Sequence, residues 1–139
     1  MNTSSIVWTV ELVEEWICIA AQVERILPPV GPHIAMARQT IIRSWQELLW
    51  DEFDDDKPVQ AFLPTNEQVS QWETVVVRWL PMIDSNKDVK ILWWRACGLG
   101  WTKIGRRLGL ERHTIANRHA RALADLAKTL NRKKNLYQS

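Results

Sequence analysis

Arg112, His113, Asn117 and Arg121 lie within ten residues of one another. Their chemistry suits the edges of bases: a guanidinium grips guanine through two hydrogen bonds, and a carboxamide grips adenine likewise. Around them stand Thr102, Lys103, Arg106, Arg107, Thr114, Arg118 and Lys128. Cations and hydroxyls of this kind contact phosphates, which position a protein on a duplex without reading sequence. On a helix advancing about 100° per residue, His113, Thr114, Asn117, Arg121, Ala124 and Lys128 share one face. Ile115, His119, Ala122, Leu126 and Leu130 share the opposite face. The pattern predicts a helix with a buried back and a polar front, whose N-terminal turn enters a major groove first.

Such a helix needs a partner to hold it. Residues 101–126 (WTKIGRRLGLERHTIANRHARALADL) predict a helix-turn-helix. Gly105 supplies the small residue where the two helices cross, and Gly109 the left-handed turn. Ile104, Leu108, Leu110 and Ile115 lock the pair. Arg118 stands where a further apolar residue is common, and His119 faces the core instead. Thr102 is the candidate cap of the first helix. Plainer readings stay open: Arg106 and Arg107 as solvation of that helix, His113 as simple surface, Arg121 as a partner of Asp125. The tail cations Arg132, Lys133 and Lys134 read either as a frayed end or as added phosphate contacts.

Charge supports the nucleic-acid reading. Residues 95–139 hold eleven Lys or Arg against Glu111 and Asp125, a net of +9, whereas residues 1–94 sum to −7. A basic end on an acidic body is the electrostatic footprint of a nucleic-acid binder.

The rest of the chain reads as further helices, giving an all-α fold of about six. Val10, Val13, Trp16, Ile17, Ala20 and Val23 recur at helical spacing behind a Thr9 cap, up to Pro28 and Pro29. A second helix is expected over 34–50, followed by an acidic run at 51–56 (DEFDDD) that reads as a solvated loop. A capping box at 65–68 (TNEQ) opens a third, which Pro81 stops. Ser85 and Asp88 mark the start of a fourth, which ends near Cys97. Nine tryptophans, none beyond residue 101, fill the core of these helices. The expected organisation is an acidic, Trp-rich helical region at 1–63 for oligomerisation or partner contact, packed beside a basic DNA-binding domain at 64–139.

No apolar run is long enough to cross a bilayer, and the N-terminus lacks the pattern of a secretory signal, so a cytoplasmic protein is expected. Cys18 and Cys97 lack the local partners of a zinc site and read as free thiols. No metal, cofactor or catalytic residue is expected, because there is no phosphate-cradling glycine loop and no nucleophile with a supporting base.

Residues 95–127 resemble region 4 of bacterial sigma factors, carried by Ile104, Gly105, Leu108, Gly109, Leu110, Thr114, Ile115, Arg121, Ala122 and Leu123. Most of the chain resembles an uncharacterised family of small helix-turn-helix proteins from proteobacteria and their prophages. Trp8, Pro28, Trp45, Trp50, the Trp79–Leu80 step, the 93–98 segment (WWRACG) and the Trp101-to-Ile104 turn carry that resemblance. It implies the fold and a phage or prophage setting.

The leading expectation is a phage- or prophage-type transcriptional regulator that binds double-stranded DNA. It would be a homo-oligomer, a dimer for preference, with N-terminal helices that dimerise or touch RNA polymerase. The alternative is a small terminase-like subunit that recognises phage DNA and assembles into a ring with packaging proteins. Such subunits usually carry the motif N-terminally, and here it is C-terminal. A helix pair that binds protein rather than DNA is a third reading.

Overall fold

The computed structural model describes residues 7–26 and 63–138. These form five α-helices: α1 (Val10–Ile26), α2 (Asn66–Glu73), α3 (Asn86–Ala96), α4 (Trp101–Leu108) and α5 (Arg112–Gln138), with no strand among the described residues. The all-α expectation holds. The helix expected at 34–50, the acidic run at 51–56, and Trp45 and Trp50 lie outside the described residues.

Three helix starts follow from short polar side chains that satisfy amides the helix itself leaves bare. Thr9 Oγ1 accepts from the Leu12 N–H at 3.1 Å. Thr65 and Gln68 complete a capping box, each side chain accepting from the other's backbone N–H at 3.1 and 2.9 Å. Ser85 Oγ accepts from the Asp88 N–H at 3.3 Å.

The end of α2 is less simple than a stop at Pro81. Its chain widens into a π turn over Thr74–Trp79, where the Leu80 N–H reaches the Val75 carbonyl five residues back. It then tightens into a 3-10 turn, Leu80–Met82, that contains Pro81. Proline has no N–H with which to continue the ladder, so the helix ends there in steps.

One contiguous core runs through all five helices, from Val13 and Ile17 through Val76, Leu92 and Trp93 to Ile104, Ile115 and Leu126. α1 packs against α2, α3 and α5. The core thus includes residues from both sides of position 63. The apolar stripe of α1 needs cover, and it finds that cover on the same helices that brace the basic end.

Tryptophan supplies much of this bulk. Trp72, Trp79, Trp93 and Trp94 are buried. Trp16 stacks on Trp79 with ring centroids 5.2 Å apart, and Trp8 meets both edge-on at 4.9 and 5.0 Å. The backbone of Trp8 is held by Asn131 of α5. The Asn131 Oδ1 accepts the Trp8 N–H at 2.8 Å, and its Nδ2 donates to the Trp8 carbonyl at 2.9 Å. Glu24 is buried inside the core, where its Oε2 accepts the Trp72 indole N–H at 2.6 Å.

Candidate functional site

The basic residues singled out in the sequence sit on α4 and α5, which are joined by the short turn 109–111. Two glycines shape that junction for different reasons. Gly109 ends α4 with φ +70°, a left-handed conformation that is cheap only without a Cβ. Gly105 has ordinary helical geometry, but a Cβ there would overlap the Leu110 carbonyl oxygen. The Gly105 carbonyl in turn accepts the Leu110 N–H at 2.9 Å. Ile104 and Ile115 are fully buried behind this contact.

The upstream end of α4 is fixed by Trp101. The Arg95 guanidinium lies 3.9 Å above its ring, and Arg95 also donates to the Leu99 carbonyl at 3.1 Å. The His119 ring meets Trp101 edge-on at 5.0 Å. The cap differs from expectation. Gly100 occupies the N-cap without a side-chain hydrogen bond, and Thr102 lies inside the first turn of α4, exposed. The chain already bends at Gly98, with φ +101°, so the helix starts two residues before Thr102 can cap it.

α5 has the two faces its spacing predicts. Ile115, His119, Ala122, Leu126 and Leu130 are buried, together with Leu123 and Ala127. His113, Asn117, Arg121, Ala124 and Lys128 are exposed, as is Arg112 at the first position, and Thr114 is half-buried. On α4, Lys103, Arg106 and Arg107 are exposed. The helix continues as far as Gln138, and Arg132 and Lys133 are exposed on it.

His113 and Arg118 of the expected site have partners within the chain. His113 Nε2 lies 3.4 Å from Glu111 Oε2 at the exposed start of α5. Arg118 turns sideways, half-buried, and its Nε donates to Asp88 Oδ1 of α3 at 2.9 Å. Its terminal nitrogen also donates to Ser85 Oγ at 3.4 Å. Sequence placed Arg118 among the phosphate contacts; the structure ties it to the start of α3.

His119 lines a small recess with Glu14 and Cys18 of α1 and Arg95 of α3. Burial pushes its imidazole below the ordinary histidine value, with Glu14 opposing that shift and Arg95 adding to it. Burial likewise pushes the Cys18 thiol up; Glu14 adds to that shift and Arg95 opposes it. Cys18 and Cys97 are both free thiols. Among the described residues no group of three or more His, Cys, Asp or Glu could hold a metal ion. No helix among them is long and apolar enough to cross a membrane.

Sequence reasoning missed Glu24, Asn131 and the pairing of Asp88 with Arg118. Glu24 carried a readable signal, since it falls on the apolar stripe of α1 one turn beyond Ala20 and Ala21. Asp88 was legible with Ser85 as a helix start, but no local pattern announces its bond to Arg118 or that of Asn131 to Trp8, partners 30 and 123 positions away.

Comparison with curated proteins and with solved structures finds no match to this chain. At the level of families there is a match that spans α2, α3, α4 and the first half of α5, in keeping with the resemblance to an uncharacterised family. Residues 39–126, more than half of the chain, match the family described as Domain of unknown function (DUF6362), and the protein belongs to that family.

Proposed function

We propose that α4 and α5 act as a helix-turn-helix, similar to sigma region 4, that binds double-stranded DNA, and that the protein is a phage- or prophage-type transcriptional regulator. The observation that carries this reading is the division of α5. His113, Asn117, Arg121 and Lys128 form an exposed stripe, while Ile115, His119, Ala122 and Leu126 anchor the opposite face. A buried back fixes a helix, and a polar front of Arg, Asn and His offers what a major groove requires. The close approach of Gly105 to Leu110 supports the same reading, because it lets the first helix brace the second. Arg112, His113, Asn117 and Arg121 are the base-edge residues. Thr102, Lys103, Arg106, Arg107, Thr114 and Lys128 are the phosphate residues. Glu11, Glu14 and Glu15, exposed on α1, leave an acidic surface for a protein partner.

The test is fluorescence anisotropy of a random-sequence duplex library titrated with the protein at two salt concentrations, followed by selection of the preferred duplex. With about six phosphates neutralised, affinity falls about a thousandfold between roughly 50 and 200 mM salt. Arg112→Ala and Asn117→Ala each lose about 1–3 kcal/mol on the selected duplex and relax the preference there. Lys103→Ala weakens all duplexes alike. Absence of binding at low salt, or equal losses on selected and random DNA for every variant, defeats the reading.

A further inference from the structure

Three consecutive residues of α5 point in three directions. Asn117 is exposed, Arg118 reaches sideways to α3, and His119 is buried against Trp101. Because each residue turns the helix by about 100°, these three together define its rotation about its own axis. The apolar contacts of Ile115, Ala122 and Leu126 hold α5 against the core, but burial is non-directional and tolerates a small roll. The bonds of Arg118 are directional. Its Nε meets Asp88 at 2.9 Å and its terminal nitrogen meets Ser85 at 3.4 Å, so a single guanidinium spans both acceptors at the start of α3. Those acceptors are themselves fixed to each other, since Ser85 Oγ takes the Asp88 N–H at 3.3 Å. Asp88 and Arg118 keep only 25% and 31% of their side-chain exposure, so solvent competes with them less than with a surface pair.

On the DNA-binding reading above, we infer that Arg118 is a positioning residue for sequence recognition rather than a phosphate contact. It sets the rotation of α5 so that His113, Asn117 and Arg121 meet the groove in register. A roll of α5 would move all three at once, while leaving the scattered cations of α4 and α5 able to find phosphates. The strut therefore governs the ratio of selected to random binding and leaves the sequence-independent term alone. A half-buried ion pair used in this way contributes to uniqueness of geometry more than to stability.

Two conservative variants separate the roles. Arg118→Lys keeps the charge that a phosphate would need but loses the planar fork that spans two acceptors. Asp88→Asn keeps the shape of α3 but loses the charge that holds Arg118. Both are compared with wild type by anisotropy on the selected and on random duplexes, across salt, with circular dichroism to confirm folding. The expected result is an unchanged salt slope, unchanged random-duplex affinity, and a fall of about tenfold in preference for both variants. If Asp88→Asn instead binds every duplex more tightly with a steeper salt slope, Arg118 has been released to a phosphate and the positioning role is wrong. Preference retained in full by both variants overturns it as well. A wild-type protein that binds DNA with no preference, or not at all, defeats the recognition reading itself and the positioning role along with it.

Discussion

The platform of α1, α2 and α3 and the pair α4 and α5 share one core, yet each is assembled by a different means. The platform is built from bulk. Trp72, Trp79, Trp93 and Trp94 are buried in it, and Trp8, Trp16 and Trp79 pack ring against ring. The pair is built from absence of bulk. Its junction depends on Gly105, where no side chain fits, and Gly109, where no side chain is comfortable. Large side chains hold the platform by filling its interior, whereas the pair is held by a backbone approach that leaves no room for a Cβ at residue 105. The exposed cations of the candidate site stand on the pair that this close approach joins.

That contrast can be broken at either end. Gly105→Ala should be the most damaging change, because the new Cβ meets a backbone oxygen that cannot move aside. A loss of about 3 kcal/mol in urea unfolding is expected, despite the better helix propensity of alanine. Trp72→Phe probes the platform: it keeps an aromatic ring but removes part of the indole's buried bulk together with the donor to buried Glu24, at about 2 kcal/mol. Gly109→Ala should be milder, about 1 kcal/mol, because open space surrounds its Cβ and only the left-handed backbone is penalised. Equal losses at the two glycines would erase the distinction between steric and conformational demand.

The smallest effect is expected where the two regions meet. His119 of α5 sits beside Glu14 and Cys18 of α1 and Arg95 of α3, and its proton affinity is depressed chiefly by burial. The unfolded chain, with histidine at its ordinary 6.5, takes up a proton more readily than the folded one. Stability is therefore fully present above 6.5, declines as pH falls from there towards the depressed value, and levels off below it. Unfolding midpoints between about pH 7.5 and pH 5.5 should show this slope, and His119→Gln should flatten it. A slope that persists unchanged in His119→Gln assigns it to another group.

What could be read in the sequence was what depends on neighbours in the chain. The Thr65–Gln68 capping box, the Ser85 cap, the left-handed Gly109 and the buried stripe of α5 all follow from spacings of a few residues. The small residue at 105 was legible too, as part of a local pattern. Contacts that join distant segments were not. Arg118 looked like an exposed cation because nothing near it in sequence reveals Asp88, 30 positions earlier. The position of Glu24 on the apolar stripe of α1 was legible, but its donor was not, since Trp72 comes 48 positions later. The expected boundary near residue 63 followed the shift in composition and charge, whereas the packing of α1 against later helices depends on apolar faces far apart in the chain.

The clasp between Asn131 and Trp8 has a kinetic consequence. It closes a loop of 123 residues, so it cannot form until most of the chain between has been gathered in. A contact of such long range carries a large loop-closure cost for two hydrogen bonds, so the clasp is expected to form after the transition state. Asn131→Ala should then leave the folding rate of the chain nearly unchanged and speed its unfolding, since the lost bonds lie wholly on the native side of the barrier. In stopped-flow measurements only the unfolding arm should move. The clasp would thus act as a latch on residence in the native state, holding the start of the chain against the far end of α5 after the fold has been reached.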